Sequence, residues 1–380
     1  MKKTELMFEY PEQLVATEPL RPSRVMWVSP CDVNITALNA PEPLELQWSQ
    51  FLQKIVEVKG TNDVLVINNT KVLKRRVFAG DMEILFLSEV EPCVWEVLFP
   101  AKNYKIGQII NLPNGVQCEL LQKGRPQKVK ILNAEIDMAK YLDQVAELPL
   151  PPYIQKIRET KTHSRHAQTQ DANWYQTYWA SAPGSLAAPT ASLHFTNDDL
   201  QFLQKQDLKI LEITLHVGLG TFLPVLTEEL NDHTMHAEYV EISNEVWQQI
   251  QNAKQRGGKV WALGTTVTRA LESRQLIDSQ DVVSKDMIQM SQVNLQRLQF
   301  LSPPKEQSDT FQMETRLLIQ PGFRFQIVDR LLTNFHQPES TLLALVSAFS
   351  RIDLVKKYYQ WAIERKFRLF SYGDLSVWIK

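Results

Sequence analysis

The chain changes its sequence pattern along its length, and this change limits the folds that are open to it. Residues 82–132 contain several short β-like runs, which are separated by Gly107, the turn at Asn114 and Gly115, and Gly124. Short strands with glycine and asparagine turns and without a helical period are typical of a small sheet or barrel. The sequence therefore predicts an all-β module in this part of the chain.

The residues outside this module follow a different pattern. The proline-rich run Pro149–Tyr153 closes the module, since prolines at this density favour extended backbone. Beyond it, strand-like runs such as Leu208–Leu215 alternate with helical stretches such as Ser243–Arg256, which is typical of α/β layers. We therefore predict an α/β fold, in which a larger α/β domain (residues 1–62 and 150–380) carries an inserted small all-β barrel domain (residues 63–149).

Length and composition are consistent with two domains. The 380 residues exceed the roughly 250–300 at which one hydrophobic core usually stops growing. The formal net charge of −2 does not indicate a nucleic-acid-binding protein that is basic throughout, although local patches are compatible with it. The three cysteines are widely spaced and form no C-x-x-C pair, which argues against a zinc site or a redox couple.

The sequence shows no signal peptide and no run of about 18 apolar residues. We therefore expect a cytoplasmic protein without a membrane partner, and its oligomeric state is open between monomer and homodimer. The polar, glutamine-rich segment 279–313 is expected to be an exposed insertion.

Two histidines stand among small residues, His194 in the run Ala187–Phe195 and His216 in the run Leu215–Phe222. Glycine permits close approach of a ligand to the backbone, and histidine changes its charge near neutral pH. The predicted strand before His216 also brings Gly218, Gly220 and Thr221 to its carboxyl end, where open α/β sheets bind ligands. A tight turn explains the glycines equally well, but the adjacent histidine favours a site.

Two further strand ends carry polar residues. Gly264 ends one strand, and the helix after it starts with Thr265 and Thr266 and holds Arg269 in its first turn, an arrangement that suits a carboxylate or phosphate. An ordinary helix cap with a solvated arginine is the alternative. Asn334 and His336 lie in the loop before a helix whose first turn contains Pro338.

Several acidic residues are ambiguous. Asp329 interrupts an apolar strand and must be paired, exposed at an edge or catalytic. Ser371 and Asp374 either contact a ligand or close a turn. His233, His236 and Glu238 have the spacing of metal ligands, but Glu238 as a hydrogen-bond acceptor for a ligand hydroxyl is the simpler interpretation.

Basic residues form three clusters, within residues 71–76, 123–130 and 156–166. The members are Lys71, Lys74, Arg75 and Arg76; Lys123, Arg125, Lys128 and Lys130; and Lys156, Arg158, Lys161, His163, Arg165 and His166. The third cluster is followed by the aromatic run Trp174–Trp179, and cations beside aromatic rings suit RNA binding. A solvated charged surface explains the clusters equally well.

Together these motifs resemble those of the S-adenosylmethionine:tRNA ribosyltransferase-isomerase family of queuosine biosynthesis. The resemblance spans most of the chain and depends on the order and number of short motifs. They include Ser23-Arg24, Asn68-Asn-Thr70, Ala187–Phe195, Leu215–Phe222, Met235–Glu238, Gly264–Ser273, Thr333–Phe349 and Phe370–Asp374.

The resemblance implies an α/β domain with an inserted β-barrel and a transferase activity. Such enzymes transfer and isomerise the ribosyl part of S-adenosylmethionine onto 7-aminomethyl-7-deazaguanine at the tRNA wobble position, which leaves epoxyqueuosine and releases adenine and methionine. S-adenosylmethionine is then a consumed co-substrate, tRNA is the partner, and no metal is expected.

This chemistry suggests roles for the candidate residues. The sulfonium acidifies the neighbouring C5′ carbon, so His194 or His216 would remove a proton there, and a protonated His336 would assist the departure of adenine. Glu238, Asp329 or Asp374 would hold ribose hydroxyls and Arg269 the methionine carboxylate, while Trp174, Tyr175 or Phe222 would face the sulfonium. The predicted catalytic residues are His194, His216, His336 and Asp329; the predicted substrate-binding residues are Thr190, Gly218, Gly220, Thr221, Glu238, Thr265, Thr266, Arg269, Asn334, Ser371 and Asp374.

Two other functions remain as alternatives. One is a noncatalytic RNA-binding paralogue, against which the presence of His194, His216, His336 and Asp374 argues. The other is a metal-dependent hydrolase that uses His233, His236 and Glu238.

Overall fold

The structure, a computed structural model, describes residues 1–30, 36–133, 135–162, 166–218, 220, 225–279, 305–307 and 309–380. Thr221, Phe222, His163, Arg165 and most of the segment 279–313 lie outside the described residues, and what the sequence suggests for them stays a prediction.

The chain divides into two units by its internal contacts. The larger unit contains Met1–Lys71, Gln176–Ala182 and Ala188–Lys380, and the smaller unit contains Val72–Tyr175 and Pro183–Ala187. These limits differ from the predicted 63–149 at both ends. The strand Val64–Asn68 pairs within the sheet of the larger unit, and residues 150–175 group with the smaller unit.

The structure has strands and helices with the following bounds. The strands are β1 (Val25–Val28), β2 (Leu44–Leu46), β3 (Val64–Asn68), β4 (Thr70–Val72), β5 (Arg76–Ala79), β6 (Met82–Glu91), β7 (Val94–Leu98), β8 (Ile109–Asn111), β9 (Gln117–Gln122), β10 (Gln127–Ile131), β11 (Ala182–Ser185), β12 (Lys209–His216), β13 (Glu238–Ser243), β14 (Val260–Leu263), β15 (Lys305–Gln307), β16 (Thr310–Thr315), β17 (Arg330–Asn334) and β18 (Leu375–Ile379). The α-helices are α1 (Trp48–Val58), α2 (Met138–Val145), α3 (Pro152–Thr162), α4 (Asp171–Trp174), α5 (Asn197–Lys205), α6 (Asn244–Gln255), α7 (Thr265–Asp278), α8 (Thr341–Phe349) and α9 (Ile352–Glu364).

The larger unit is built on a mixed sheet of ten strands in the order β15-β16-β13-β12-β3-β14-β17-β18-β1-β2. Its centre, β12-β3-β14-β17, is parallel. Every residue of β3 and β14 is buried, as expected for parallel strands that are covered on both faces. On one side of this centre, β13, β16 and β15 each pair antiparallel with the preceding strand. On the other side, β18 pairs antiparallel with β17 and parallel with β1, and β1 pairs antiparallel with β2.

One face of this sheet is covered by aromatic side chains of α1 and of the segment before α5. Phe51 of α1 lies between Trp27 and Phe195, and Trp48 contacts Phe195 edge to face with ring centroids 4.9 Å apart. The start of α5 is fixed by a capping box, in which Thr196 accepts a hydrogen bond from the backbone of Asp199 and the Asp199 carboxylate accepts from the backbone of Thr196. This packing positions the histidine segment Thr190–His194, a 3₁₀ helix, against the sheet.

The smaller unit contains a six-stranded antiparallel sheet in the order β5-β6-β7-β10-β9-β8. The sheet curls into a nearly closed barrel, because the 3₁₀ turn Pro113–Gly115, which follows the edge strand β8, contacts the other edge strand β5. Its interior is a separate apolar core that includes Phe86, Val97, Cys118 and Val129. The predicted fold class, an α/β unit with a small barrel, is confirmed.

A buried ionic cluster fixes the amino ends of the parallel strands. Asp63 is 3% exposed, and it accepts hydrogen bonds from Trp261 Nε1 at 2.9 Å and from the Lys259 backbone at 2.8 Å. Arg330 donates to the same carboxylate at 3.1 Å, and its guanidinium stacks on the Trp261 ring. The cluster therefore ties the starts of β3, β14 and β17 together.

Removing the charge of Asp63 should destabilise the larger unit. In Asp63→Asn the Arg330 guanidinium, whose side chain is 13% exposed, loses its buried carboxylate partner, so we expect the free energy of unfolding to fall by about 3 kcal/mol. Urea denaturation measures this change. The control is Glu57→Gln, which breaks an ion pair to Lys54 whose glutamate side chain is 62% exposed and should cost less than about 0.5 kcal/mol. Equal effects of the two substitutions would contradict the proposed role of Asp63.

Candidate active site

Polar residues collect where the parallel strands of the larger unit end. β3, β12 and β17 end at Asn68, His216 and Asn334, and β14 ends one residue before Gly264. Parallel strands present their carboxyl ends at one edge of the sheet, which is where open α/β sheets bind ligands. The structure thus brings His216, Gly264 and Asn334 to one edge, as the sequence predicts.

Asn334 is the centre of a buried hydrogen-bond network at this edge. Its Oδ1 accepts from the hydroxyl of Thr190 at 2.9 Å, and its Nδ2 donates to the carbonyl of Phe370 at 3.2 Å. The same Nδ2 lies 2.9 Å from His194 Nε2. Because the amide nitrogen faces a carbonyl and the amide oxygen faces a hydroxyl, the orientation of the amide is determined by its partners.

His194 is held at both ring nitrogens. Since Asn334 Nδ2 donates to Nε2, the ring proton lies on Nδ1, which donates to the Ser23 hydroxyl at 2.6 Å. Burial lowers the pKa of His194 to about 3, the nearby Arg368 and Arg21 act in the same direction, and Asp374 opposes them. His194 is therefore neutral near pH 7, and its lone pair is already used by Asn334.

His336 is also buried and neutral. Its Nε2 lies 2.8 Å from the Thr333 hydroxyl, and its backbone N–H donates to the Tyr359 hydroxyl at 3.1 Å. Burial lowers the pKa of the ring to about 3. A protonated His336 that assists the departure of adenine does not agree with this environment, because the surroundings disfavour the charged ring.

His216 differs from the other two histidines. Its ring is half-buried and stacks on Tyr239, and its Nδ1 lies 2.7 Å from the Thr70 hydroxyl. Nε2 makes no hydrogen bond to any residue that the structure describes. Burial lowers the pKa of His216, while Glu241 acts in the opposite direction. His216 is thus a positioned, neutral imidazole with one nitrogen open.

The position of His216 depends on the motif Asn68-Asn-Thr70. The Asn68 side chain bridges both backbone groups of Leu215, accepting from its N–H at 3.0 Å and donating to its carbonyl at 2.9 Å. Asn68 also accepts from the backbone of Thr70. The first turn after β3 therefore holds the last residues of β12.

Ser23, Asn68 and Thr70 are the functional candidates that residue-level reasoning missed. Their signal is weak but present: polar residues stand directly before the buried strand β1 and at the end of the buried strand β3. Such residues must find hydrogen-bond partners at a strand end, and here those partners are the two histidines and the strand that carries one of them.

The glycines after His216 are required by packing. A Cβ on Gly218 would lie 3.2 Å from the Ala237 carbonyl oxygen, and one on Gly220 would lie 2.9 Å from His236 Cβ. Close approach between two chain segments therefore explains both glycines, and contact of a ligand with them stays a prediction.

The amino end of α7 lies at the same edge of the sheet. Gly264 adopts a φ of +100°, which favours glycine, and the helix starts at the buried Thr265. Thr266 Oγ1 is buried and has no hydrogen-bond partner within the described part of the chain. The free N–H groups of this first turn carry partial positive charge, which suits an anionic group.

Arg269, one turn further along α7, forms a buried ion pair with Glu238. Its Nη1 donates to Glu238 Oε2 at 2.5 Å and its Nε donates to the Leu317 carbonyl at 3.2 Å. Nη2 is buried without a hydrogen-bond partner among the described residues. Burial raises the pKa of Glu238, and Arg269 opposes this shift. Arg269 thus keeps one donor for a further acceptor, and Glu238 is the counter-ion of Arg269.

Asp374 is 1% exposed and closes the turn before β18. Its Oδ1 accepts from the Arg24 backbone and from the Arg368 guanidinium, and its Oδ2 accepts from the Arg368 backbone at 2.8 Å. Turn closure, the alternative considered from the sequence, is therefore what the structure shows for Asp374. Ser371 lies in the same turn, with its carbonyl toward Asn334.

Asp329 does not lie at the carboxyl ends of the parallel strands, which corrects its assignment as a catalytic residue. It precedes β17, whereas Asn334 ends that strand, so the two residues lie at opposite edges of the sheet. Its carboxylate pairs with Lys254 at 2.9 Å and accepts from the Val260 backbone at 2.9 Å. Asp329 joins α6 to the starts of two strands.

The described residues contain no group of three or more His, Cys, Asp or Glu side chains that could hold a metal ion. Glu238 is paired with Arg269, and burial together with Arg316 lowers the pKa of His236. Within the same described residues, no helix is both long and apolar enough to cross a membrane.

The two buried histidines should make the protein sensitive to acid. A group whose pKa is lowered on folding binds a proton more readily in the unfolded chain, so stability falls as pH drops from about 6.5 toward 3. Each histidine contributes up to about 1.4 kcal/mol per pH unit in this range. Urea denaturation at pH 7 and pH 5 measures the loss.

The variant His336→Gln isolates one of these contributions. Its stability deficit relative to the wild type should shrink between pH 7 and pH 5, because the glutamine does not titrate. A deficit that stays constant over this range would contradict a buried neutral His336.

Known proteins resemble this chain over its full length. The model of the family described as "Queuosine biosynthesis protein" matches residues 3–378. An S-adenosylmethionine:tRNA ribosyltransferase-isomerase from Halothermothrix orenii is 36% identical over 386 residues, covering 99% of each chain. One of the same name from Natranaerobius thermophilus is 37% identical over 394 residues, covering 100% of each chain.

A crystal structure of an S-adenosylmethionine tRNA ribosyltransferase from Thermotoga maritima aligns with a TM-score of 0.48 and 24% identity, covering 98% of this chain and 99% of the other. The family match and the two relatives each extend over nearly all residues of this chain. The chain therefore belongs to the queuosine biosynthesis protein family.

Proposed function

We propose that the protein is an S-adenosylmethionine:tRNA ribosyltransferase-isomerase. It transfers and isomerises the ribosyl part of S-adenosylmethionine onto 7-aminomethyl-7-deazaguanine at the wobble position of tRNA. The products are epoxyqueuosine-containing tRNA, adenine and methionine, and S-adenosylmethionine is consumed as a substrate. The names of the full-length relatives support this activity.

The observation that carries the proposal is the state of His216. The first chemical step needs a neutral base, because the proton leaves the C5′ carbon that the sulfonium acidifies. His216 is neutral near pH 7 since burial lowers its pKa, its Nδ1 contacts the Thr70 hydroxyl, and its Nε2 makes no hydrogen bond to a described residue. We therefore assign the base to His216.

His194 and His336 receive other roles in this proposal. His194 uses both nitrogens to hold Ser23 and Asn334, so we assign it to positioning. His336 is bonded to Thr333 through Nε2 and is kept neutral by burial. We propose that it shapes the site and that adenine leaves without a proton from this ring.

The amino end of α7 is the proposed binding site for the methionine carboxylate. Three features favour an anion there: the N–H groups of the first helical turn, and the buried Oγ1 of Thr266 and Nη2 of Arg269, which have no hydrogen-bond partner among the described residues. Because Glu238 already balances the positive charge of Arg269, the helix end supplies most of the attraction for the carboxylate. Thr190 and Asn334 would line the ribose side of the site.

The direct test is incubation of the protein with S-adenosylmethionine and a tRNA that carries the aminomethyl-deazaguanine. We expect epoxyqueuosine in the digested nucleosides, with one adenine and one methionine released per modified tRNA, as measured by mass spectrometry. The absence of epoxyqueuosine beside an active relative assayed in parallel would reject the proposal.

Substitutions at Thr70 and His216 should separate positioning from proton transfer. His216→Ala removes the base, and we expect kcat to fall roughly 100- to 10,000-fold. Thr70→Val keeps the imidazole but removes its orienting hydroxyl, and we expect a loss of roughly 10- to 100-fold in kcat with little change in KM. Steady-state kinetics with methionine release as the signal measures both.

The control for these variants is Asp329→Asn, which lies at the opposite edge of the sheet and should leave kcat close to the wild-type value. An undiminished kcat in His216→Ala, at unchanged melting temperature, would show that His216 is not the base.

A further inference from the structure

Positive charge is concentrated in one part of the smaller unit. Between residues 102 and 130 the sequence contains six basic side chains and a single acidic one, Glu119, although the whole chain has a net charge of −2. The basic residues are Lys102, Lys105, Lys123, Arg125, Lys128 and Lys130. Lys128 and Lys130 lie on β10, Lys123 and Arg125 in the loop between β9 and β10, and Lys102 and Lys105 in the segment before β8. We call this surface the β8–β10 face.

The strand register of β10 directs Lys128 and Lys130 away from the apolar core. In β10 the buried residues Val129 and Ile131 alternate with Lys128 and Lys130, and β9 alternates in the same way around the buried Leu120. Lys130 stands opposite Glu119, which stands opposite Ile109 of β8. The four loop cations, at positions 102, 105, 123 and 125, are all exposed, and Lys123 reaches the Lys102 carbonyl.

The charges on this face are not balanced within the protein. None of the six basic side chains forms an ion pair with an acidic group among the residues that the structure describes. Glu119 and Glu96, the cross-strand neighbours of Lys130 and Lys128, offset two of the six charges. The charges of the four loop cations, at positions 102, 105, 123 and 125, can therefore attract an external anion.

The other two basic clusters are largely used inside the protein. Arg76 is 1% exposed and pairs with Glu83 and Glu147, while Arg158 forms a buried bidentate pair with Asp171. His166 also contacts Glu147, at 2.7 Å. Of the three clusters, the second is therefore the one in which no member forms an ion pair or is fully buried within the described part of the chain.

The face carries apolar side chains but no stacking platform. Ile106, Ile109 and Leu121 are 65%, 51% and 37% exposed. Tyr104, the aromatic residue within positions 102–130, is half-buried and packs edge-on against Phe99. Exposed cations without exposed aromatic rings suit contact with phosphates, whereas binding of unstacked bases needs rings.

We infer that the β8–β10 face binds the phosphate backbone of the tRNA substrate, with Lys102, Lys105, Lys123 and Arg125 as the main contacts. This inference rests on the proposed function for the choice of RNA. Ile109 and Leu121 lie beside the cations and exclude water from the contact.

The test compares two double variants that change the net charge equally. Lys123→Glu/Arg125→Glu alters the β8–β10 face, and Lys205→Glu/Lys209→Glu alters exposed lysines of the larger unit. Binding of a labelled tRNA carrying the aminomethyl-deazaguanine is followed by fluorescence anisotropy over a series of KCl concentrations. Circular dichroism and melting temperature establish that each variant is folded.

We expect the first variant to bind tRNA roughly 10-fold more weakly at physiological salt, and the second to bind like the wild type. The slope of log Kd against log[KCl] should decrease by roughly 1.4–1.8 in the first variant, because two phosphate contacts are lost. If the first variant has a lowered melting temperature, Lys123→Gln/Arg125→Gln is tested in its place. We expect the same change of slope for this variant.

Several outcomes would overturn the inference. One is that both variants bind tRNA with the same affinity and the same salt slope, and another is that both lose affinity equally. A third is that the wild type binds no tRNA. The fourth is that the change on the β8–β10 face alters self-association without altering tRNA affinity. The proposed function is judged separately by epoxyqueuosine formation. A wild type that forms the product while both variants bind tRNA equally would reject this face and leave the function intact.

Discussion

The parallel pairing of β12, β3, β14 and β17 is the constraint on which the rest of the larger unit depends. Because these strands run in one direction, every residue that follows them reaches the same edge, whatever its distance along the chain. Backbone groups at that edge have no further strand to pair with, so side chains must satisfy them. Asn68 does so for Leu215, and Asn334 does so for the carbonyl of Phe370. The network is a consequence of the way the sheet ends.

Burial divides the three histidines into two kinds. His194 and His336 lie deep enough that the ring is neutral, and their hydrogen bonds fix the segments around residues 190 and 333. His216 stands at the end of β12 beside Tyr239, where it is only half-buried. Two deeply buried imidazoles and one half-buried imidazole agree with a site in which most polar groups hold geometry and one exchanges a proton.

The sequence allowed much of this architecture to be predicted, for reasons that are visible in particular residues. The turn at Asn114 and Gly115 and the short β-like runs indicated the barrel, and the glycine at 264 marked the end of a strand. The domain limit was harder to predict, because a short run such as Val64–Asn68, with four apolar residues before Asn68, suits either a barrel or a parallel sheet. Its partners Lys209–Ile213 and Val260–Ala262 are distant in sequence.

The errors in the site follow from strand boundaries and from partners distant in sequence. Asp329 was placed inside a strand that begins at Arg330, so it lies at the amino end of β17, whereas Asn334 lies at the carboxyl end. Nothing near Ser23 in the sequence indicates that it meets His194, since 171 residues separate them. Asp374 could be predicted only as an alternative between turn and ligand, because the choice depends on Arg24 and Arg368.

The position of β18 has a consequence for how the protein is made. β1 pairs with β2 and with β18, and it reaches the parallel centre of the sheet through β18 alone. During synthesis, β1 therefore cannot pair with β18 until Leu375–Ile379 has left the ribosome. The barrel strands β5–β10, in contrast, are all synthesised by residue 131. The smaller unit can fold during translation, whereas the part of the sheet that carries the histidines is complete only after β18 has been made.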